Sequence, residues 1–407
     1  MSDAVPLTAH IPAALIVDFD AFDCGGLGED PQARLAWLHD KPDVFYTPRN
    51  GGHWVVMSEA AAREIVALPE VFSANLPRHD RHVPAAMPYV VPLHADPPDH
   101  TLFRKVLAPL FTAAAVKQHE DRVRDIARAL VRQCADAGCC DFPRDIAAPF
   151  HVAVFLHMVG VPQSRATDLL AWIGAITRMK DADSYAQASA ALGQFYRETI
   201  AARRRHPGDD MLSFLLAADY DGRPADDQTV ISLCGNLFVG GLDTVVATGS
   251  LIVLMLGRRA QLRARVREAA RPLPDALVDE LMRRNATVTN ARALTRDFDL
   301  RGIPFRAGDR VDLMYQLMAT DPTRYDNPLE VATSGGGRFN IIFGLGAHRC
   351  IGTHMARLEM RVLLEEWLAQ IPEFHVPPEA RLTIRGGSVW APDAVPLQWR
   401  ATAPDHA

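Results

Sequence analysis

The amino-acid sequence predicts a mainly α-helical protein with small β-sheets, folded as a single domain over residues 1–407. Three observations support this fold class. Apolar residues recur with helical spacing from about residue 100 to about residue 290. Strand-like segments are few and lie near the two ends of the chain. No linker rich in proline and glycine divides the chain into two units.

The first 45 residues are expected to form an N-terminal extension. Residues 54–57 predict a strand, and Ser58 then suits the N-cap of a helix over residues 59–67. The longest predicted helix, the central helix, spans residues 226–257 and begins after Asp226 as N-cap. The other predicted helices span residues 103–110, 113–137, 162–179, 184–205 and 210–218, the last capped by Asp209.

Beyond the central helix the chain returns to short strands. Three are predicted over residues 293–295, 298–300 and 310–313, around a turn at Gly308 and Asp309. The tail over residues 382–399 is strand-like, with breaks at glycine and proline.

Composition excludes several classes of function. The net charge of −6 argues against nucleic acid as a main partner. Six cysteines form no CxxC pair, and no signal peptide is evident, so a reducing cytoplasm is the expected setting. The apolar stretch 245–257 follows Asp243 and is interrupted at residues 248–250, which favours a buried core helix over a membrane span.

Residues 343–352 form a loop, FGLGAHRCIG, that places one thiol among three glycines. Cys350 has no second cysteine at the spacing of a zinc site. A buried structural cysteine and a catalytic nucleophile stay open. A thiolate ligand of haem iron explains the glycines, because Gly344, Gly346 and Gly352 would let the backbone approach a flat macrocycle closely.

A second motif lies inside the central helix, where Gly240 and Gly241 precede Asp243 and Thr244. Each glycine costs a helix roughly 1 kcal/mol relative to alanine. Close packing of another helix is one explanation. The other is that the helix opens here to leave room for a ligand, with Thr244 bonding to its own backbone and Asp243 delivering protons.

Two further segments carry paired charges. Glu280 and Arg283 share one helix face at a spacing of three residues, as a surface ion pair or a buried clamp. His100 and Arg104 share a face at a spacing of four, either solvated or directed at an anionic group such as the haem propionates.

Together these segments resemble the cytochrome P-450 family of haem-thiolate monooxygenases. The pattern F-x-x-G-x-[HR]-x-C-x-G is met by Phe343, Gly346, His348, Cys350 and Gly352, with Gly344 as an additional match. The patterns [AG]-G-x-[DE]-T and E-x-x-R are met at residues 240–244 and 280–283, in the family's order. The resemblance implies a triangular, mainly helical prism with haem between the central helix and the cysteine-ligand helix.

The resemblance also implies roles for individual residues. Cys350 would be the axial ligand of the iron in haem b, and Phe343 would shield it. Gly344 and Gly346 would let the loop backbone come close to the haem. Asp243 and Thr244 would relay protons during oxygen activation. Glu280 and Arg283 would be structural. The haem propionates would be bound by His100, Arg104, Arg292 and His348.

Within the family the chain looks most like the bacterial camphor-hydroxylase group, on residues 240–245 and 395–399. Those relatives take electrons from a [2Fe–2S] ferredoxin and its flavin-dependent reductase, and no membrane anchor is expected. Arg104, Arg338 and Arg349 are candidate ferredoxin contacts.

Two positions depart from the family pattern. Where the family has an arginine before the cysteine loop, gapless counting reaches Gly335, with Arg338 nearby. Where camphor hydroxylases have a ketone-binding tyrosine, counting reaches Pro88, with Tyr89 beside it.

The predicted reaction is insertion of one oxygen atom of O₂ into a C–H bond of a small apolar molecule, a monoterpenoid or norisoprenoid. The predicted substrate residues are Tyr89, Gly241, Leu242, Val245, Val288 and Val389. Two alternatives are a peroxide-driven haem-thiolate enzyme, against which Asp243 and Thr244 argue, and a non-catalytic haem sensor or carrier.

Overall fold

The computed structural model describes residues 10–22, 30–80, 89–178, 181–332 and 340–400. Helices dominate these residues, as the sequence predicts. They are α1 Pro31–Arg34, α2 Glu59–Val66, α3 Leu76–His79, α4 Asp99–Leu107, α5 Ala113–Lys117, α6 Glu120–Ala135, α7 Ala148–Met158, α8 Ala166–Arg178, α9 Ala182–Arg205, α10 Met211–Ala217, α11 Asp227–Arg258, α12 Ala260–Glu268, α13 Asp275–Arg284, α14 Tyr315–Met318 and α15 Thr353–Gln370.

The described strands are short and pair near the two ends of the chain. They are β1 Val44–Thr47, β2 His53–Val56, β3 Phe72–Ser73, β4 Cys139–Asp141, β5 Thr289–Leu294, β6 Phe298–Leu300, β7 Ile303–Phe305, β8 Arg310–Met314, β9 Ile384–Arg385, β10 Ala391–Pro392 and β11 Pro396–Gln398. The largest sheet has the order β1-β2-β8-β5-β3. Its β2–β8 pair is parallel, with Trp54 opposite Val311.

The central helix matches its prediction to within one residue. The Asp226 carboxylate accepts the backbone N–H of Thr229 at 2.8 Å, which is the predicted N-cap. For α10 the cap is Asp210, whose carboxylate accepts the N–H of Ser213 at 2.8 Å, so the assignment to Asp209 is wrong.

Three predicted helices are subdivided in the structure. The predicted helix 113–137 breaks between α5 and α6 near Gln118, whose N–H bonds to Ala115 in a tight turn. The predicted helix 162–179 starts as the 3₁₀ turn Gln163–Arg165. The predicted helix 103–110 is α4 and a following 3₁₀ turn, Ala108–Phe111. Apolar periodicity persists through such turns because a 3₁₀ segment nearly keeps the helical spacing.

The sequence gives no clear signal for α7. Its residues Phe150, Val152, Val154 and Leu156 are all fully buried, so the helix has no polar face to reveal its period. It packs against α11 and α8.

Among the described helices, α11 is long and apolar enough to cross a membrane. However, 61% of its most apolar 18-residue segment is buried inside the protein. Residues 251–256 of α11 are in the main hydrophobic core. This agrees with the prediction of a core helix.

The described part of the predicted N-terminal extension packs into the fold. Leu35 and Leu38 are buried in the main core. The Gln32 side-chain amide donates to the Ala286 carbonyl at 2.7 Å, and Arg284 forms an ion pair with Asp30. This segment therefore anchors the C-terminal end of α13.

Candidate active site

A cavity of about 520 Å³ lies between α11 and the loop before α15. Side chains from α4, α7, α11 and α15 and from the strands around residue 289 line it. Among the residues selected from the sequence, the lining contains His100, Arg104, Gly240, Gly241, Asp243, Thr244, Val245, Val288, Phe343, Gly344, His348, Cys350, Gly352 and Val389. Two motifs about a hundred residues apart in the chain therefore line the same cavity.

The loop before α15 is held in shape by its backbone. Gly344 has φ +77° and Gly346 has φ +64°, a region where side chains other than hydrogen are strained. A Cβ on Gly346 would also lie 3.0 Å from Val66 Cγ2. The Cys350 N–H donates to the Phe343 carbonyl at 2.7 Å, which closes the loop and directs the thiol into the cavity.

Burial raises the pKa of the Cys350 thiol, while the Gly352 amide, Arg104 and the Thr353 hydroxyl act in the opposite direction. A cation bound to the sulfur would favour the thiolate strongly. The ring of Phe343 is buried, and the guanidinium carbon of Arg357 lies over it, 5.1 Å from the ring centroid. Asp279 holds that guanidinium with two bonds of 2.6 and 2.8 Å.

A basic wall faces the same cavity. The rings of His100 and His348 stack with their centroids 3.9 Å apart. Burial and the neighbouring arginines lower the pKa of His100 to about 4 and that of His348 to about 2. Arg104 lines the cavity, whereas Arg292 lies buried behind it on β5, and burial lowers the pKa of both guanidiniums.

This wall fits the acidic edge of a haem. Within the described residues, His348 Nε2 is buried and has no hydrogen-bond partner. A propionate beside this nitrogen and the two arginines would favour a ring that is protonated there, and that N–H could then donate a hydrogen bond to it. The thiol, the two left-handed glycines and this basic wall together fit haem b. In the described parts of the chain, no three His, Cys, Asp or Glu side chains are grouped so that they could hold a metal ion by themselves.

The opposite wall carries the acid and alcohol of α11. The Thr244 hydroxyl donates to the Gly240 carbonyl at 2.8 Å and lies 3.3 Å from the Gly241 carbonyl. Burial raises the pKa of Asp243, opposed by Arg385 and His151. The backbone stays helical from residue 227 to residue 258, so the predicted opening of the helix is wrong, although Thr244 makes the predicted bond to its own backbone.

The two adjacent glycines of α11 serve different purposes. A Cβ on Gly240 would meet nothing within 4 Å. A Cβ on Gly241 would lie 2.6 Å from His151 Cε1 and 2.8 Å from His151 Nε2. His151 and its partner Glu359 also line the cavity, and neither has a sequence signal. Helix packing, the alternative explanation for the glycines, thus applies at Gly241.

The predicted substrate residues divide into two groups. Gly241, Val245, Val288 and Val389 line the cavity, and the last two form a β-bridge. Two others lie outside this lining. Leu242 turns into the main core because it is one helix position beyond Gly241, and Tyr89 is 47% exposed.

Glu280 and Arg283 form a buried clamp away from the cavity. Arg283 is 4% exposed and bonds twice to Glu280, at 2.7 and 2.8 Å. It also donates to the carbonyls of Ala319, Pro328 and Glu330. Of the two departures from the family pattern, Gly335, Arg338 and Pro88 lie outside the described residues.

This chain is similar to known proteins in both sequence and structure. The family model "Cytochrome P450" matches residues 157–384. A probable cytochrome P450 127A1 of Sinorhizobium fredii is 31% identical over 404 residues, covering 97% of each chain. A steroid C26-monooxygenase of Mycolicibacterium smegmatis is 30% identical over 378 residues, covering 90% of this chain and 92% of that protein. The crystal structure of cytochrome P450 CYP101C1 superposes with a TM-score of 0.88 at 34% identity, covering 97% of this chain and 100% of that one.

Proposed function

Because this chain belongs to the cytochrome P450 family, we propose that it hydroxylates a small apolar molecule of the monoterpenoid or norisoprenoid class. The chain is a P450 monooxygenase that uses haem b, and it is similar to the camphor-group enzymes. The proposal extends this family assignment to a substrate class, an electron donor and individual site residues. Its proposed setting is the cytoplasm.

One observation carries the proposal. The Cys350 thiol, on its left-handed glycine loop, lines the same cavity as Asp243 and Thr244 on the opposite element. Cys350 would hold the iron, and His100, Arg104, Arg292 and His348 would hold the propionates. Bound haem supplies the chemistry that activates O₂, with a thiolate ligand that favours O–O cleavage.

The residues of α11 would handle protons. The Thr244 hydrogen is committed to the Gly240 carbonyl, which leaves the lone pairs of its oxygen free to accept a hydrogen bond from the cavity. Burial raises the pKa of Asp243, so this carboxyl is easier to protonate than an ordinary aspartate, which suits a group that would take up and pass on protons.

The substrate class is supported by the walls of the cavity. Apolar side chains contribute most of them, including Leu237, Val245, Val288 and Val389, as suits an apolar ligand oriented by few polar groups. One relative found by comparison is named for oxidising steroids. A steroid is therefore the natural competitor in any test.

A ligand panel tests the substrate class. Purified holoprotein is titrated with monoterpenoids, norisoprenoids and steroids while the shift of the Soret band is recorded, and products are analysed after turnover. We expect high-spin shifts and hydroxylated products from the first two groups. Steroid binding with no response to either terpenoid group would contradict the proposal.

The electron donor is proposed to be a [2Fe–2S] ferredoxin with a flavin-dependent reductase. An acidic ferredoxin would dock near Arg349, which follows His348 in the loop before α15, while Arg104 is directed into the cavity. Replacing Arg349 with Glu should raise the KM for an acidic ferredoxin several-fold, more at low than at high salt. Turnover with peroxide alone, and with no ferredoxin, would contradict this donor.

A further inference from the structure

Asn236 is a polar side chain of the cavity that neither the sequence motifs nor the proposed mechanism uses. It lies on α11 and lines the cavity beside the apolar Leu237 and Val239. The residue is half-buried, and within the described ranges of the chain its side-chain amide makes no hydrogen bond. An asparagine amide offers two N–H donors and one carbonyl acceptor, so this group is able to bind a ligand.

Several other polar side chains of the lining already have partners. The Thr244 hydroxyl is bonded to the backbone of its own helix. Thr248 Oγ1 lies 3.2 Å from Thr287 Oγ1, and Thr289 Oγ1 lies 3.2 Å from Gln316 Oε1. A purely apolar ligand would displace water from the Asn236 amide and leave it unpaired, which weakens binding. The cavity therefore favours a ligand with a polar atom at this point.

The position of Asn236 along α11 relates it to the reaction site. Asn236 and Thr244 are eight residues apart on the side of the helix that lines the cavity, which corresponds to about 12 Å along the helix axis. One turn before Asn236, the Ser232 hydroxyl accepts the backbone N–H of Val91 at 3.0 Å. That bond holds the loop that contributes Leu93 to the lining. Along the helix, Asn236 thus lies between this loop and Thr244.

We propose that the Asn236 amide anchors the substrate by a carbonyl or hydroxyl oxygen, the role predicted for Tyr89, which lies outside the lining. This inference rests on the proposed function and narrows its substrate class. Because the anchor and Thr244 are about 12 Å apart along α11, the anchored oxygen is several bonds from the carbon that is hydroxylated. A norisoprenoid ketone carries its oxygen on a side chain, remote from the far ring carbons, whereas a bicyclic monoterpenoid carries it on the ring itself. The substrate is therefore a norisoprenoid with a side-chain oxygen.

A binding comparison tests the anchor. β-Ionone, a norisoprenoid ketone, and its deoxygenated analogue, in which a methylene replaces the carbonyl, are titrated into the holoprotein while the Soret band is recorded. We expect Asn236→Leu, which keeps the approximate shape of the side chain, to raise the Kd of the ketone about fivefold to tenfold, the net value of one neutral hydrogen bond. The Kd of the analogue should stay the same or fall.

Gln228→Leu is the matched control, because it removes an amide at an exposed position of the same helix outside the cavity lining. It should change neither Kd. Equal changes for both ligands in Asn236→Leu, or no change for the ketone, would overturn the proposal. Ser388 also lines the cavity and is the alternative anchor. Loss of the preference for the ketone in Ser388→Ala, with the preference retained in Asn236→Leu, would likewise overturn it.

Product analysis provides a second measurement. The wild type should hydroxylate β-ionone on ring carbons remote from the carbonyl, and Asn236→Leu should give a broader mixture because the side chain of the ligand is no longer held. An unchanged product distribution in the variant would contradict the anchor. If the wild type responds to steroids and to neither terpenoid group, the proposed function fails. A steroid ketone and its deoxygenated analogue, compared in the same two variants, then decide whether Asn236 binds a ligand oxygen.

Discussion

The loop before α15 and the middle of α11 both place glycines beside the cavity, but for different reasons. In the loop, Gly344 and Gly346 adopt left-handed backbone angles. In the helix, Gly240 and Gly241 keep helical geometry, and Gly241 gives space to His151. In the loop, the requirement for glycine comes from the local backbone angles. In the helix, the requirement at Gly241 comes from His151, a residue distant in the sequence. A sequence motif can reveal the first kind of requirement directly, but not the second.

The largest effect is expected at the loop's thiol. Replacing Cys350 with Ser removes the proposed ligand, so the reduced, carbon monoxide-treated protein should lose the thiolate-type spectrum and hydroxylation should fall to background. Cys139→Ser, at a cysteine outside the cavity lining, is the control and should change neither measurement. A thiolate-type spectrum in the Cys350 variant would refute the assignment of the loop.

The helix should respond in coupling rather than in cofactor binding. Thr244→Val removes the hydroxyl but keeps the shape, and we expect product per NADH to fall about tenfold while haem content stays constant. Thr244→Ser retains a hydroxyl and should restore most of the coupling. Unchanged coupling in the valine variant would favour a protein that binds haem without this proton route.

A stability measurement can separate two effects in the loop. Gly346→Ala should lower the free energy of unfolding by about 2–3 kcal/mol, since a left-handed alanine costs about 1–2 kcal/mol and the Val66 contact adds overpacking. Urea denaturation of the holoprotein measures this loss. Adding Val66→Ala should recover only the contact part of the loss. Full recovery would show that the backbone angle is not limiting.

The smallest effect, of opposite sign at adjacent positions, is expected in the helix. Gly241→Ala should destabilise the protein by about 1–2 kcal/mol, because its Cβ would meet the His151 ring. Gly240→Ala should be neutral or stabilising by up to about 1 kcal/mol, because no atom opposes its Cβ.

A double-mutant cycle sharpens this last comparison. Combined with His151→Ala, Gly241→Ala should lose most of its cost, which thermal unfolding would report as a coupling energy. Equal effects of the two glycine substitutions in the presence of His151 would remove the distinction between the two helix positions.

The fold class and the loop could be predicted because their causes are local. Helical periodicity, the Asp226 cap and the left-handed glycines each depend on residues close in the chain. The buried helix α7 could not be predicted, since it has no polar face. His151 and Glu359 could not be found either, because they become neighbours only when α7 and α15 pack into the same core.

The substrate residues show the same limit. Proximity to the helix motif predicts that Val245 lines the cavity, and it does, but Leu242 turns to the core because one helix step rotates a side chain by about 100°. Tyr89 depends on the conformation of the loop before α4, which spacing alone does not determine.

One unbroken helix joins both regions. α15 begins three residues after Cys350. Its Glu359 is hydrogen-bonded to His151, and the His151 ring packs against Gly241 of α11. An α-helix rises about 1.5 Å per residue, so Glu359 lies roughly 9 Å along α15 from Thr353. A movement of α15 along its axis would therefore displace the Cys350 sulfur and the α11 side of the cavity together. The cysteine loop and the α11 wall of the cavity are therefore both connected to the same helix.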